Sequence, residues 1–130
     1  MQRTLLRIAG VAECLTGVAL MTLPALTISL LLGVEPAEDA LMIGRIAGAA
    51  LFALGVACWG ACPQVGGAAL NGTLNAMTFY NTVTGALLVA YVVTGKAGGT
   101  VGLIVGSLHL LIAAAFALCR WRALAGAVRI

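Results

Sequence analysis

The chain has 130 residues, 62% of them apolar and 8% charged, with a formal net charge of +3 and a mean hydropathy of +1.13. Soluble chains carry about a quarter charged residues, so these side chains cannot cover a water-facing surface, and a soluble globular domain is excluded. Intrinsic disorder needs low hydrophobicity and high charge, and nucleic-acid binding needs a dense basic surface; both are excluded too. An integral membrane protein remains.

A bilayer core about 30 Å thick takes about 20 apolar residues of helix. The first stretch of that kind runs from about Thr4 to Leu23 and ends at Pro24. Arg3 and Arg7 ahead of an apolar run resemble a signal peptide. Glu13 lies inside that run, however, and no small-residue cleavage site leads into polar sequence, so the span is expected to be retained. The apolar piece Pro24 to Val34 is too short to cross. It is expected either to continue the helix beyond a kink or to lie in the interface. Glu35, Glu38 and Asp39 then lead the chain into water.

The second span runs from about Ala40 to Gly60, stopped by Pro63, and the third from about Thr73 to Thr94, closed by Gly95 and Lys96. The fourth runs from about Gly99 to Cys119, closed by Arg120, Trp121 and Arg122. The chain therefore reads as one all-α membrane domain over residues 1–130, a bundle of four transmembrane helices. Arg3, Arg7, Arg120, Arg122 and Arg129 gather at one side, opposite Lys96 and the three acids. The positive-inside rule puts both termini in the cytoplasm. Trp59 and Trp121 at that side, with Tyr91 near the other, match an aromatic belt. The loop from Gln64 to Gly72, with Gly66 and Gly67, reads as an uncharged cytoplasmic connection.

Apolar helices in lipid associate by close packing and polar contacts, because lipid tails are as apolar as leucine. Among seventeen glycines, Gly44 and Gly48 form one small-xxx-small pair and Gly102 and Gly106 another. Ala9 and Gly10 recur two turns on as Thr16 and Gly17, giving the first span a small stripe. These positions are expected to pack helices, either within one bundle or against another subunit.

Charges within lipid are costly and are candidates for function. Glu13 lies near the middle of span 1, His109 near the middle of span 4, and Asn81, with Tyr80 beside it, near the middle of span 3. Arg45 is one to two turns into span 2. Each falls near the face best suited to packing. A buried cluster is expected, with Glu13 paired to Arg45 or His109 and Asn81 filling the remaining hydrogen bonds. Its role is either to fix helix register or to hold a proton, a headgroup or a quinone.

Cys58, Cys62 and Cys119 fall at one depth and are weak candidates for a soft metal ion. The C-x-x-x-C spacing and a reducing side favour plain packing, and Cys14 stands alone. One histidine cannot supply both axial ligands of a bis-histidine haem, so no cofactor is expected. There is no phosphate-binding glycine loop, no H-E-x-x-H and no Ser/His/Asp set, so no enzyme is expected.

The string Ala12-Glu13-Cys14-Leu15-Thr16-Gly17 resembles the membrane-embedded glutamate segment of small multidrug resistance transporters. That likeness covers about one span and implies proton-for-cation exchange at Glu13 in a dimer. Arg45 and the Phe79-Tyr80-Asn81 string depart from that family. Over most of the chain the pattern resembles small four-helix bacterial membrane proteins, loosely the DoxX group. The residues are an arginine near the start, Arg45-x-x-Gly48, Tyr80-Asn81 and mid-span His109; the likeness implies little about activity. By subtraction, the sequence points to a non-catalytic inner-membrane protein of a bacterium. In that reading it packs against lipid and other membrane subunits, or itself, as an accessory subunit. The alternative is a small proton-coupled transporter or ligand-binding bundle acting as a homodimer.

Overall fold

The computed structural model describes residues 2–63, 67–95 and 100–127, with side chains described as far as Arg122. Lys96, Arg129 and the loop residues 64–66, which entered the sequence reading, lie outside the described residues. The helices are α1 (Gln2–Thr22), α2 (Pro24–Leu32), α3 (Glu38–Ala61), α4 (Ala68–Val93) and α5 (Thr100–Ala127). Of these, α1, α3, α4 and α5 are long and apolar enough to cross a membrane. The fold is an all-α bundle of four long helices, and the chain is a multi-pass membrane protein. Its surface agrees: Ile8, Leu15, Ile43, Phe79, Leu87 and Leu111 are all exposed, an arrangement stable against acyl chains and not against water.

The bundle is built from two antiparallel pairs, α1 with α3 and α4 with α5, with far thinner contact between the pairs. Glycine sets both pairings. A Cβ added to Gly17 would stand 2.6 Å from the Gly48 carbonyl oxygen, and one on Gly55 would stand 2.6 Å from the Gly10 oxygen. In the other pair, a Cβ on Gly85 would lie 2.8 Å from the Gly106 oxygen. Backbones this close leave no space for a side chain. Gly10, Gly17, Gly48 and Gly106 thus lie at close helix crossings within this chain. Gly44 and Gly102 have a different neighbour, since they receive Ile28 and the Leu31 carbonyl of α2.

The short helix α2 is separate from α1. Leu23, at φ −129° and ψ 53°, breaks the helix immediately before Pro24, where proline disfavours helical geometry in its predecessor. Pro24 then opens α2 at a position that needs no N–H donor. Gly33, in the left-handed region at φ 69°, closes it by bonding the Ser29 carbonyl. The piece touches α1, α3 and α5, so it ties the two pairs together at one end of the bundle.

The opposite end holds the apolar core. Leu6, Cys58, Leu74, Met77 and Phe116 are fully buried there, drawn from all four long helices. Gln2 Nε2 donates to the Cys119 carbonyl at 3.2 Å, and the Cys62 sulfur lies 3.7 Å from the Arg3 carbonyl oxygen.

Replacing Gly17 with isoleucine should prise α1 from α3 and cost about 1–3 kcal/mol, as overpacking does. Gly72→Ala, at a site with open space around it, should be neutral or slightly stabilising. Thermal unfolding of both variants in one detergent checks the contrast; equal losses would refute the assigned contact.

Candidate functional site

At the middle of the bundle, where the two pairs part above the apolar core, the polar residues of three helices meet. Glu13 on α1 and Asn81 on α4 are buried, at 6% and 1% exposure. His109 on α5 is half-buried, and so is Tyr80. The His109 Nδ1 and Asn81 Oδ1 atoms are 2.8 Å apart, while Asn81 Nδ2 donates to the Met77 carbonyl at 2.8 Å. The Tyr80 ring stands edge-on to the imidazole, with centroids 5.7 Å apart and planes at 88°, a favoured aromatic geometry. The Tyr80 hydroxyl approaches the Glu13 carboxyl on one side and Thr84 on the other.

The placement follows from the helix pairing. In α4 and α5 the Gly85–Gly106 contact fixes a register that brings Asn81 opposite His109. In α1, the face bearing Gly10 and Gly17 is taken by α3, which leaves Glu13 at its edge, turned toward α4.

The expected partnership of Glu13 with Arg45 or His109 is corrected. Arg45 is exposed and lies outside the cluster. The register explains why. Gly17 against Gly48 sets Phe52 near Glu13 and Leu20 near Arg45, so Arg45 lies two turns, roughly 10 Å along the axis, from the carboxylate. His109 is bonded to Asn81, not to Glu13. Glu13, Tyr80, Asn81 and His109 do come together.

The cluster is not sealed. It forms the inner end of a cavity of about 640 Å³ between α1, α4 and α5, with Leu26, Thr27, Leu30 and Leu31 of α2 along one side. The walls are otherwise leucine, isoleucine, valine, alanine and threonine. Its rim includes Ala12, Thr16 and Leu108, all exposed and near mid-span, so the cavity meets the lipid phase laterally. Sequence reasoning missed this opening, along with Thr16 and Thr84 as lining residues and Gly55 and Gly85 as crossing points. Gly55 did carry a signal, seven residues beyond Gly48 on the same face. A gap between helix pairs leaves no mark in one-dimensional periodicity.

The cysteines are engaged in packing. Cys58 and Cys62 belong to the core, with the Cys62 thiol donating to the Cys58 carbonyl at 3.1 Å, and Cys119 is buried. Cys14 faces the Phe52 carbonyl at 3.8 Å. Among the described residues, no three His, Cys, Asp or Glu side chains are grouped so as to hold a metal ion.

Compared with known proteins, the chain matches no family model, no curated protein and no solved structure.

Arg45→Ala should leave stability within about 0.5 kcal/mol, as surface changes do. Asn81→Ala should cost about 1–3 kcal/mol by stranding the imidazole N–H. Chemical or thermal denaturation in detergent micelles tests the pair. A large loss on removing Arg45 would restore the ion-pair arrangement.

Proposed function

We propose that this chain is a membrane-embedded binding protein that takes a lipid-soluble amphiphile from the bilayer into the cavity. The apolar body would lie along the leucine-rich walls, with the head at Glu13, Tyr80, Asn81 and His109. The observation that carries this reading is the union of a cavity of about 640 Å³ with a polar cluster at its inner end, a volume usual for small-molecule sites. A cluster serving only to fix register is best enclosed, because an open cavity beside it weakens packing. Intramembrane ionisable residues facing a cavity usually mark a ligand or ion path.

The accessory-subunit role rests on glycine faces left for a partner. Gly10, Gly17, Gly48, Gly55, Gly85 and Gly106 are all occupied by neighbouring helices of the same chain, which favours the cavity reading over that one. We further infer that both termini face the cytoplasm of a bacterial inner membrane. Support comes from Arg3, Arg7, Arg120 and Arg122 at one end and Glu35, Glu38 and Asp39 at the other.

Filling the cavity tests the function. Ala12→Phe places a ring at the rim of the cavity on an exposed position, so it should block entry while leaving unfolding temperature close to that of the parent. Native mass spectrometry after mild-detergent extraction should find a small amphiphile on the parent chain and none on Ala12→Phe. A parent chain that carries nothing, and instead runs in fixed ratio with larger membrane subunits, would overturn the binding role and favour the accessory one.

A further inference from the structure

The hydrogen bonds behind the cluster determine which head group it can accept. This step rests on the binding role proposed above. The Asn81 nitrogen is identified by its partner: the Met77 carbonyl at 2.8 Å only accepts, so the atom facing it is the amide NH2. The other amide atom is therefore oxygen, which also only accepts. The His109 Nδ1 atom, 2.8 Å from that oxygen, must carry hydrogen and donate. In the neutral imidazole this leaves Nε2 without a proton, as the nitrogen available to a ligand. The Tyr80 hydroxyl stands beside the Glu13 carboxyl. What this chain of bonds leaves toward the cavity is His109 Nε2, which accepts.

We propose that the cavity selects amphiphiles whose head donates hydrogen bonds, a hydroxyl or a primary ammonium, and discriminates against heads that only accept or do neither. Ketones, quinones, esters and ethers would place a lone pair against Nε2. A quaternary ammonium offers Nε2 no N–H. The chain thus differs from a general hydrophobic pocket, where body shape alone sets affinity. A site built around a hydrogen bond rejects the analogue that lacks it far more strongly than a pocket rejects a missing methylene.

The chain contains a single histidine, so histidine-specific 15N labelling reports on His109 alone. The labelled protein in phosphatidylcholine nanodiscs is titrated with dodecan-1-ol, dodecylamine, dodecyl methyl ether, 2-tridecanone and dodecyltrimethylammonium. Near neutral pH the free protein should show a protonated Nδ1 and an unprotonated Nε2. The alcohol and the primary amine should bind at least about tenfold more tightly than the other three, moving the Nε2 resonance while Nδ1 stays protonated. In His109→Phe the alcohol should fall to the affinity of the ether. Equal affinity for all five probes, or the neutral ring proton found on Nε2, would overturn the donor rule while leaving the binding role standing. Failure of every probe to bind would overturn both.

Discussion

The backbone contact between Gly17 and Gly48 is the constraint on which the rest of the molecule depends. In lipid no hydrophobic force brings helices together, since acyl chains solvate leucine as well as another helix does. What remains is dispersion at short range, and its value falls steeply with a gap of even half an ångström. By omitting the side chain at Gly10, Gly17, Gly48 and Gly55, the chain brings α1 and α3 into backbone contact along two helical turns. Gly85 and Gly106 do the same for α4 and α5. Each pair is then a unit whose internal register is fixed sterically.

Register, in turn, decides which polar residues can meet. Fixing Gly17 against Gly48 separates Arg45 from Glu13 along the bundle, and fixing Gly85 against Gly106 puts Asn81 opposite His109. An arginine near the end of a span can extend its head toward water along its own aliphatic stem, which relieves it of any need for a buried partner. A glutamate in mid-span has a shorter reach, and its neighbours are a tyrosine and the open cavity. The difference in side-chain length accounts for why one charge joins the cluster and the other does not.

Much of this was legible in the amino-acid order. Span lengths, the terminating prolines and the glycine pairs in the second and fourth spans follow directly from the dimensions of helix and bilayer. Apart from Arg45, the members of the cluster could be named from the sequence, because a polar residue at the centre of an apolar span has few places to go except inward. The pairing of Glu13 was not. Helical periodicity places a residue on a face and at a depth, but says nothing of how far one helix slides along its neighbour. That slide was encoded at Gly55, whose spacing from Gly48 matches that of Gly10 from Gly17. Aligning the two antiparallel motifs would have set Arg45 away from Glu13. The separate course of α2 was only half legible. Pro24 announces a break, yet where the chain goes afterwards depends on Gly44 and Gly102, which lie in other helices and leave space for it.

The cavity is a consequence of the same economy. Two tightly paired units, joined by an apolar core at one end and by a nine-residue helix at the other, have among the described residues no third glycine seam to close the space between them. The walls there carry leucine and valine from α1, α4 and α5, residues whose bulk holds the pairs apart as effectively as glycine draws helices together. Polar groups at the inner end of such a space are stable only if their hydrogen bonds are completed from behind, as Met77 and Asn81 do for His109. Support of that kind fixes the donor and acceptor pattern of the exposed edge before any ligand arrives. On the proposed binding role, the acceptor that His109 presents is therefore set by the Met77 carbonyl of α4, a residue that does not itself line the cavity.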